Sequence, residues 1–118
     1  GGFFVSREAF REHLSRARLF AMNEDAERLS VFVAIGPDGY TIKSQNTAGR
    51  YIGDGDTEGS GKAGEWEWNP DFALAWLNQA ENEKIRVGFV GPGKAIVLSD
   101  FGNNFFGMIS PLGKRGEK

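Results

Sequence analysis

The segments FFVSREAFREHL (residues 3–14) and WEWNPDFALAWL (residues 66–77) follow one pattern, and this pattern decides the fold. In each segment a short aromatic stretch leads to a polar residue, Ser6 or Asn69, and an acidic residue comes two positions later. Ser and Asn side chains accept hydrogen bonds from the free N–H groups of a helix start, and acidic residues suit the positive end of the helix dipole. Each segment therefore predicts a strand followed by a helix.

A hairpin and one more strand follow each predicted helix. The stretches RLSVFVAIGPDGYTIKS (residues 28–44) and KIRVGFVGPGKAIVLSD (residues 84–100) alternate with the period of a strand, and each contains a Gly-Pro pair typical of a turn. A final strand is predicted around GRYIGD (residues 49–54) and NNFFGMIS (residues 103–110). The predicted order of elements is therefore β-α-β-β-β, and it occurs in two successive repeats. The two repeats should share one core, because neither alone can bury both a sheet face and a helix stripe.

The domain organisation follows from these repeats. We expect a single α+β domain over residues 1–118, a length that suffices for one modest core. Its expected parts are repeat one at about 3–59, an acidic Gly-rich joint at about 54–64, repeat two at about 65–112 and a charged tail at 113–118.

Composition narrows the classes of function. A net charge of −2 argues against a protein that grips nucleic acid over its whole surface, although a local basic face stays open. Without cysteine the chain has no disulfide framework, no thiol catalysis and no thiolate metal site. No apolar run approaches the roughly 18 residues of a membrane span, and there is no signal-peptide pattern, so we expect a cytoplasmic protein.

The first predicted helix has an apolar stripe and a set of arginines. At the helical period, the residues that share the core face are Phe10, Leu14, Ala17 and Ala21. The arginines beside or opposite that stripe are Arg7, Arg11, Arg16 and Arg18. They can be a solvated face with ion pairs such as Glu12 with Arg16, or a basic lining for DNA.

At this point the sequence resembles a known family. The order of elements, together with FREHLSRARLF (residues 10–20), residues 28–46, WNPDF (residues 68–72) and MISPL (residues 108–112), resembles the bacterial sliding clamp, the beta subunit of DNA polymerase III. The likeness is greatest to that family's third, C-terminal domain. It implies the DNA clamp fold, with sheets outside and two helices on one face. In the family, three such domains form a crescent, and two crescents close head to tail into a ring around DNA.

The resemblance also implies a function without catalysis and without a cofactor. A clamp domain helps to encircle double-stranded DNA and docks short peptides of polymerases, the clamp loader and repair proteins. A full clamp is roughly three times as long as this chain. The chain is therefore either one domain of a clamp or a stand-alone clamp-fold adaptor that acts only through protein interactions and does not form a ring.

The family's functional positions carry over to three groups of residues. The peptide groove is implied to consist of Asn69, Phe72, Met108, Ile109, Ser110, Pro111 and Leu112. Read from composition alone, Met108 and Ile109 are core residues of a final strand, and Asn69 is a helix cap. Family members usually have Met where Ser110 stands, and here six residues follow Leu112.

The other two groups lie on the first helix. Arg11 and Arg16 match positions that are often basic and face DNA. Leu19 and Phe20 match apolar residues that contact the neighbouring subunit. The alternative for Leu19 and Phe20 is burial under the loop AMNEDAE (residues 21–27).

Three further features receive structural interpretations. The stretch DGDTEGSGKAGE (residues 54–65) spaces its acids like a calcium loop, but its flanks read as strands where an EF-hand needs helices, so calcium binding is the least favoured function. His13 is the only histidine and is expected at the surface, without a partner for a triad or a zinc site. The tryptophans are expected in the core, with a stacking platform as the alternative; they are Trp66, Trp68 and Trp76.

Overall fold

The sequence patterns form two helices and eight strands in the described part of the chain. The computed structural model describes residues 2–21, 30–46, 49–59, 61, 63–89, 96–100 and 105–109. Repeat one consists of β1 (Gly2–Ser6), α1 (Arg7–Ala21), β2 (Val31–Gly36), β3 (Gly39–Asn46) and β4 (Gly49–Gly55). Repeat two consists of β5 (Gly64–Trp68), α2 (Pro70–Gln79), β6 (Lys84–Phe89), β7 (Ile96–Asp100) and β8 (Phe105–Ile109). The predicted β-α-β-β-β order is confirmed in both repeats.

Both helices begin at the predicted caps. The Ser6 hydroxyl accepts a hydrogen bond from the Ala9 N–H at 3.3 Å, and Asn69 Oδ1 accepts one from the Asp71 N–H at 2.8 Å. Pro70 occupies the first helical position of α2, where a missing N–H costs nothing. Local side-chain chemistry therefore fixes where each helix starts.

The predicted core stripe of α1 is confirmed. Its buried residues are Phe10, Leu14, Ala17 and Ala21. The three tryptophans are buried as well, which confirms core packing for them; these are Trp66, Trp68 and Trp76. Helix α1 packs across β3 and β4 and against α2, and α2 packs on β8. The two helices thus lie side by side against the sheets.

The two sheets exchange strands between the repeats. Their strand orders are β1-β6-β7-β8 and β4-β3-β2-β5, with every pairing antiparallel. The opening strand of each repeat therefore joins the sheet of the other, as in the pairs Phe3 with Val87 and Val33 with Trp66. The shared core expected from the sequence is built through this exchange.

The first hairpin turn depends on a glycine. Gly36 pairs with Gly39 across the turn, and Gly39 has a φ of +129°, which residues with a Cβ rarely adopt. A Cβ there would also lie 2.7 Å from the carbonyl oxygen of Gly55 on β4. The Gly-Pro signal thus predicts this turn correctly. The corresponding turn at residues 91–93 lies outside the described residues.

The connection between the repeats is attached to the first sheet. Glu58 and Phe4 exchange two backbone hydrogen bonds of 2.8 and 2.9 Å, so Glu58 adds one rung to the open edge of β1. Lys84 Nζ donates to both carboxylate oxygens of Glu58, at 2.7 and 2.8 Å. The predicted joint of about 54–64 is therefore held to β1 and β6 at this residue. The predicted tail at 113–118 lies outside the described residues.

Neither of the two described helices is both long enough and apolar enough to cross a bilayer.

Candidate functional site

The first turn of α2 presents a large apolar side chain to solvent. Phe72 is 54% exposed, although it belongs to a helix whose other large apolar residues are mostly buried. Asn69, also exposed, caps the same turn. Exposure of a large aromatic side chain to water is unfavourable unless a partner covers it. This capped turn is therefore a candidate contact surface.

Helix α2 lies directly on the last strand. Trp76 is one helical turn beyond Phe72 on the same side of the helix, and it is buried. A Cβ placed on Gly107 would lie 2.6 Å from Trp76 Cδ1, so only glycine at this position of β8 permits the close approach. Helix α2 is thus packed against β8 through Trp76, one turn beyond Phe72.

The structure describes four of the seven residues predicted for the peptide groove. Asn69 caps α2 and Phe72 is on it, while Met108 and Ile109 are on β8, where their backbones pair with Val97 and Ile96. The remaining groove residues lie outside the described residues; they are Ser110, Pro111 and Leu112. The two elements that carry these four predicted residues, α2 with its cap and β8, are therefore in contact.

Two arginines of α1 connect it to both ends of α2. Arg18, in the last turn of α1, forms an ion pair with Asp71 in the first turn of α2. At the other end, Arg7 Nε donates to the carbonyl of Asn82 at 2.9 Å, and the backbone N–H of Arg7 donates to the carbonyl of Glu83 at 2.8 Å. The hydrogen bond and the charge of Asp71 raise the pKa of Arg18. Because the last turn of α1 contacts the first turn of α2, and the first turn of α1 contacts the residues just after α2, the two helices run antiparallel.

The two arginines predicted to face DNA have acidic partners on their own helix. Arg16 Nη2 lies 2.6 Å from Glu12 Oε1, the ion pair that the sequence offered as the alternative interpretation, and Arg11 is paired with Glu8. Arg16 is 61% exposed and Arg11 34% exposed. Each guanidinium can reach solvent, but each neighbouring carboxylate offsets its field.

The predicted interface residues are exposed. Leu19 is 66% exposed and Phe20 is 36% exposed, with the Phe20 ring 6.1 Å from the ring of Tyr51 on β4. The alternative, burial under the loop at residues 21–27, lies outside the described residues from residue 22 onward. An exposed leucine next to an aromatic pair at the open edge of a sheet is compatible with an interface.

His13 is not the plain surface residue that the sequence predicted, and this expectation is wrong. Its Nδ1 lies 2.7 Å from the Tyr51 hydroxyl, and the imidazole is half-buried between Tyr51 and Tyr40. Burial raises the pKa of Tyr51, and burial together with the charges of Tyr51 and Asp56 raises that of Tyr40 to about 12. The pair joins α1 to β4, and no local pattern in the sequence could reveal it.

The acidic stretch between the repeats is flanked by strands, as expected. It is preceded by β4, whose Asp54 accepts a hydrogen bond from the Thr41 hydroxyl at 2.9 Å, and it is followed by β5. Within the described ranges, no cluster of three or more His, Asp or Glu side chains could hold a metal ion.

One buried carboxylate had no signal in the sequence. Asp100 ends β7, is fully buried, and accepts hydrogen bonds from the Glu81 N–H at 2.8 Å and from the side-chain amide of Asn82. It thereby holds the turn between α2 and β6, the same turn that Arg7 contacts. The end of α2 is fixed by residues from two distant elements.

Comparison with solved structures identifies the fold as that of a sliding-clamp domain. The particular neighbours are bacterial DNA polymerase III beta clamps. The Thermotoga maritima beta subunit matches with a TM-score of 0.83 at 22% identity, over 95% of this chain and 30% of that chain. The Pseudomonas aeruginosa DNA polymerase sliding clamp matches with a TM-score of 0.82 at 17% identity, over 95% and 31%.

A third neighbour is the Caulobacter crescentus beta sliding clamp, solved with polyethylene glycol at a proposed beta-motif tethering region. It matches with a TM-score of 0.81 at 16% identity, over 95% of this chain and 30% of that chain. No protein-family model and no curated protein matches the sequence. At these identities the likeness establishes the fold, which confirms the predicted α+β clamp architecture. The chain spans about a third of the length of these clamps.

Proposed function

We propose that this chain is a sliding-clamp domain equivalent to the C-terminal domain of the bacterial beta subunit. It would work in the cytoplasm as a non-catalytic processivity factor, helping to encircle double-stranded DNA and docking short peptides of polymerases, the clamp loader and repair proteins. The observation that carries the proposal is the exposed Phe72 on the capped first turn of α2, the helix that packs on β8, within a clamp fold.

The physics of this surface suits reversible peptide docking. Phe72 offers a small hydrophobic contact, which gives modest affinity. Asn69 has a polar side chain already engaged in capping, so it keeps a fixed position beside a bound peptide. A partner that must be exchanged for another needs such a small, preformed surface.

Calorimetry with a short peptide that carries a polymerase clamp-binding motif tests the docking proposal. We expect saturable heat with the unmodified protein and a Kd about 30-fold weaker for Phe72→Ala, because a central aromatic contact is worth about 2 kcal/mol. Pro111→Asp should abolish binding with an unchanged circular dichroism spectrum. The matched control is Phe4→Ala, which removes a partly exposed phenylalanine from β1 and should leave the Kd unchanged.

Absence of heat at high micromolar peptide would contradict peptide docking at this surface. Equal affinities of the unmodified protein and Phe72→Ala for the peptide would show that it binds away from α2.

DNA attraction should be weak and should depend on Arg11 and Arg16. Their carboxylate partners reduce the field but leave both guanidinium groups accessible to phosphates. In fluorescence anisotropy with duplex DNA at low salt, the slope of log K against log salt should become less steep by about 2 in the double alanine variant, since each phosphate contact contributes about 0.9. The control is Lys43→Ala, because the ammonium of Lys43 lies over the Phe32 ring on β2. An unchanged slope in the double variant would remove both residues from the DNA-facing set.

The second candidate is a clamp-fold adaptor that does not form a ring. One observation favours it: each arginine of α1 has a carboxylate or carbonyl partner, which leaves little positive field for DNA. The adaptor predicts a species that binds the peptide, stays monomeric in sedimentation and shows no salt-dependent DNA binding. The clamp predicts association through Leu19 and Phe20, which Leu19→Asp should disrupt.

A further inference from the structure

The orientation of Phe72 depends on how the first turn of α2 is held. This helix has ten residues, fewer than a helix needs to be stable alone, so contacts with the rest of the protein fix its ends. At the start, Asn69 satisfies one free N–H group, and the Asp71 carboxylate is paired with Arg18 of α1. At the other end, Arg7 and Asp100 hold the turn that follows the helix.

We propose that Arg18 is a positioning residue for peptide docking: through Asp71 it holds the turn of α2 from which Phe72 projects. The inference rests on the proposed function, because it concerns the same docking surface. Arg18 acts on Phe72 indirectly, through the residue just before it in the chain.

The charges at this junction reinforce one another. Arg18 stands in the last turn of α1, where the helix dipole is negative, and Asp71 stands in the first turn of α2, where it is positive. Each side chain is therefore stabilised by its own helix and by its partner. Asp71 also raises the pKa of Arg18, through the hydrogen bond and through its charge.

Loss of the ion pair should weaken docking without unfolding the protein. If the first turn of α2 is less restrained, a bound peptide must order it, and that ordering subtracts from the affinity. Exposed ion pairs contribute up to about 1 kcal/mol, which corresponds to a two- to fivefold change in Kd. Arg18→Ala should therefore weaken the peptide two- to fivefold.

Arg7→Ala is the matched control, because Arg7 holds the opposite end of the same helix. Calorimetry with the clamp-binding peptide and thermal unfolding should be measured for both variants. We expect both to lower Tm, but only Arg18→Ala to weaken the peptide. Asp71→Ala should weaken it similarly, and the Arg18→Ala, Asp71→Ala double variant should be no weaker than either single variant. Arg18→Lys, which retains the charge, should recover part of the affinity.

The outcomes separate this inference from the proposed function. If Phe72→Ala weakens binding but Arg18→Ala does not, docking stands and the positioning role is overturned. Equal weakening by Arg7→Ala and Arg18→Ala also overturns it, because the effect is then one of general stability. Additive losses in the double variant would mean that Arg18 acts independently of Asp71, which likewise overturns it. If the unmodified protein gives no heat with the peptide, both fail.

Discussion

Replacing Asp100 with alanine is expected to lower the free energy of unfolding by about 2 to 3 kcal/mol. The carboxylate is fully buried and accepts hydrogen bonds from the Glu81 N–H and from both the backbone and the side chain of Asn82. Alanine cannot accept any of them, and donors that lose a buried acceptor retain their desolvation cost. The turn after α2 would then lose its contact with β7.

Urea unfolding monitored by tryptophan fluorescence measures this loss. The matched control is Asp54→Ala, since Asp54 is exposed and accepts one hydrogen bond, from Thr41; its loss should stay below about 1 kcal/mol. Asp100→Asn keeps one acceptor oxygen and should fall between these two variants. A loss below 1 kcal/mol in Asp100→Ala would show that water replaces the carboxylate.

Replacing Phe10 with alanine is expected to have a larger effect, about 4 kcal/mol. Phe10 is fully buried on α1, with its ring edge-on to Tyr40 at 5.1 Å and tilted against Trp68 at 6.5 Å. Tyr40 belongs to β3 of the first repeat, whereas Trp68 belongs to β5 of the second. The cavity left by the ring would therefore loosen the contact between the repeats as well as the core.

Thermal unfolding followed by circular dichroism checks this expectation, with Phe4→Ala as the control. Phe4 is 37% exposed on β1, so its truncation should cost about 1 kcal/mol or less. Similar losses in the two variants would mean that the core collapses around the missing ring. We also expect one unfolding transition in each protein, because the exchanged strands make the repeats depend on each other.

Local features of the fold could be predicted because their signals lie within a few residues. Asn69 as a cap and the Gly36-Pro37 turn each depend on short-range chemistry, and the structure confirms both. Strand exchange is different. The sequence shows that β1 and β5 are strands with a buried face, but it contains no local signal for the sheet that each one joins.

Prediction of the candidate site was limited for the same reason. Phe72 could be assigned through resemblance, and its exposure is what a docking residue needs. The pairs Arg18 with Asp71 and His13 with Tyr51 join residues that are distant in sequence, so only the folded chain reveals them. The helical period placed Arg11 and Arg16 outside the core, but it left open whether their acidic neighbours or DNA would be their main partners.

The pairing of β1 with β6 has a consequence for synthesis on the ribosome. Gly2–Ser6 precedes its partners Lys84–Gly88 by about 80 residues, so β1 must wait for its pairing until β6 has emerged. Contacts between such distant segments slow folding, because the chain must close a long loop before it gains their energy. During that interval an apolar strand remains unpaired in the nascent chain. An unpaired apolar strand of this kind is prone to aggregation, and the arrival of β6 removes that hazard by pairing with it.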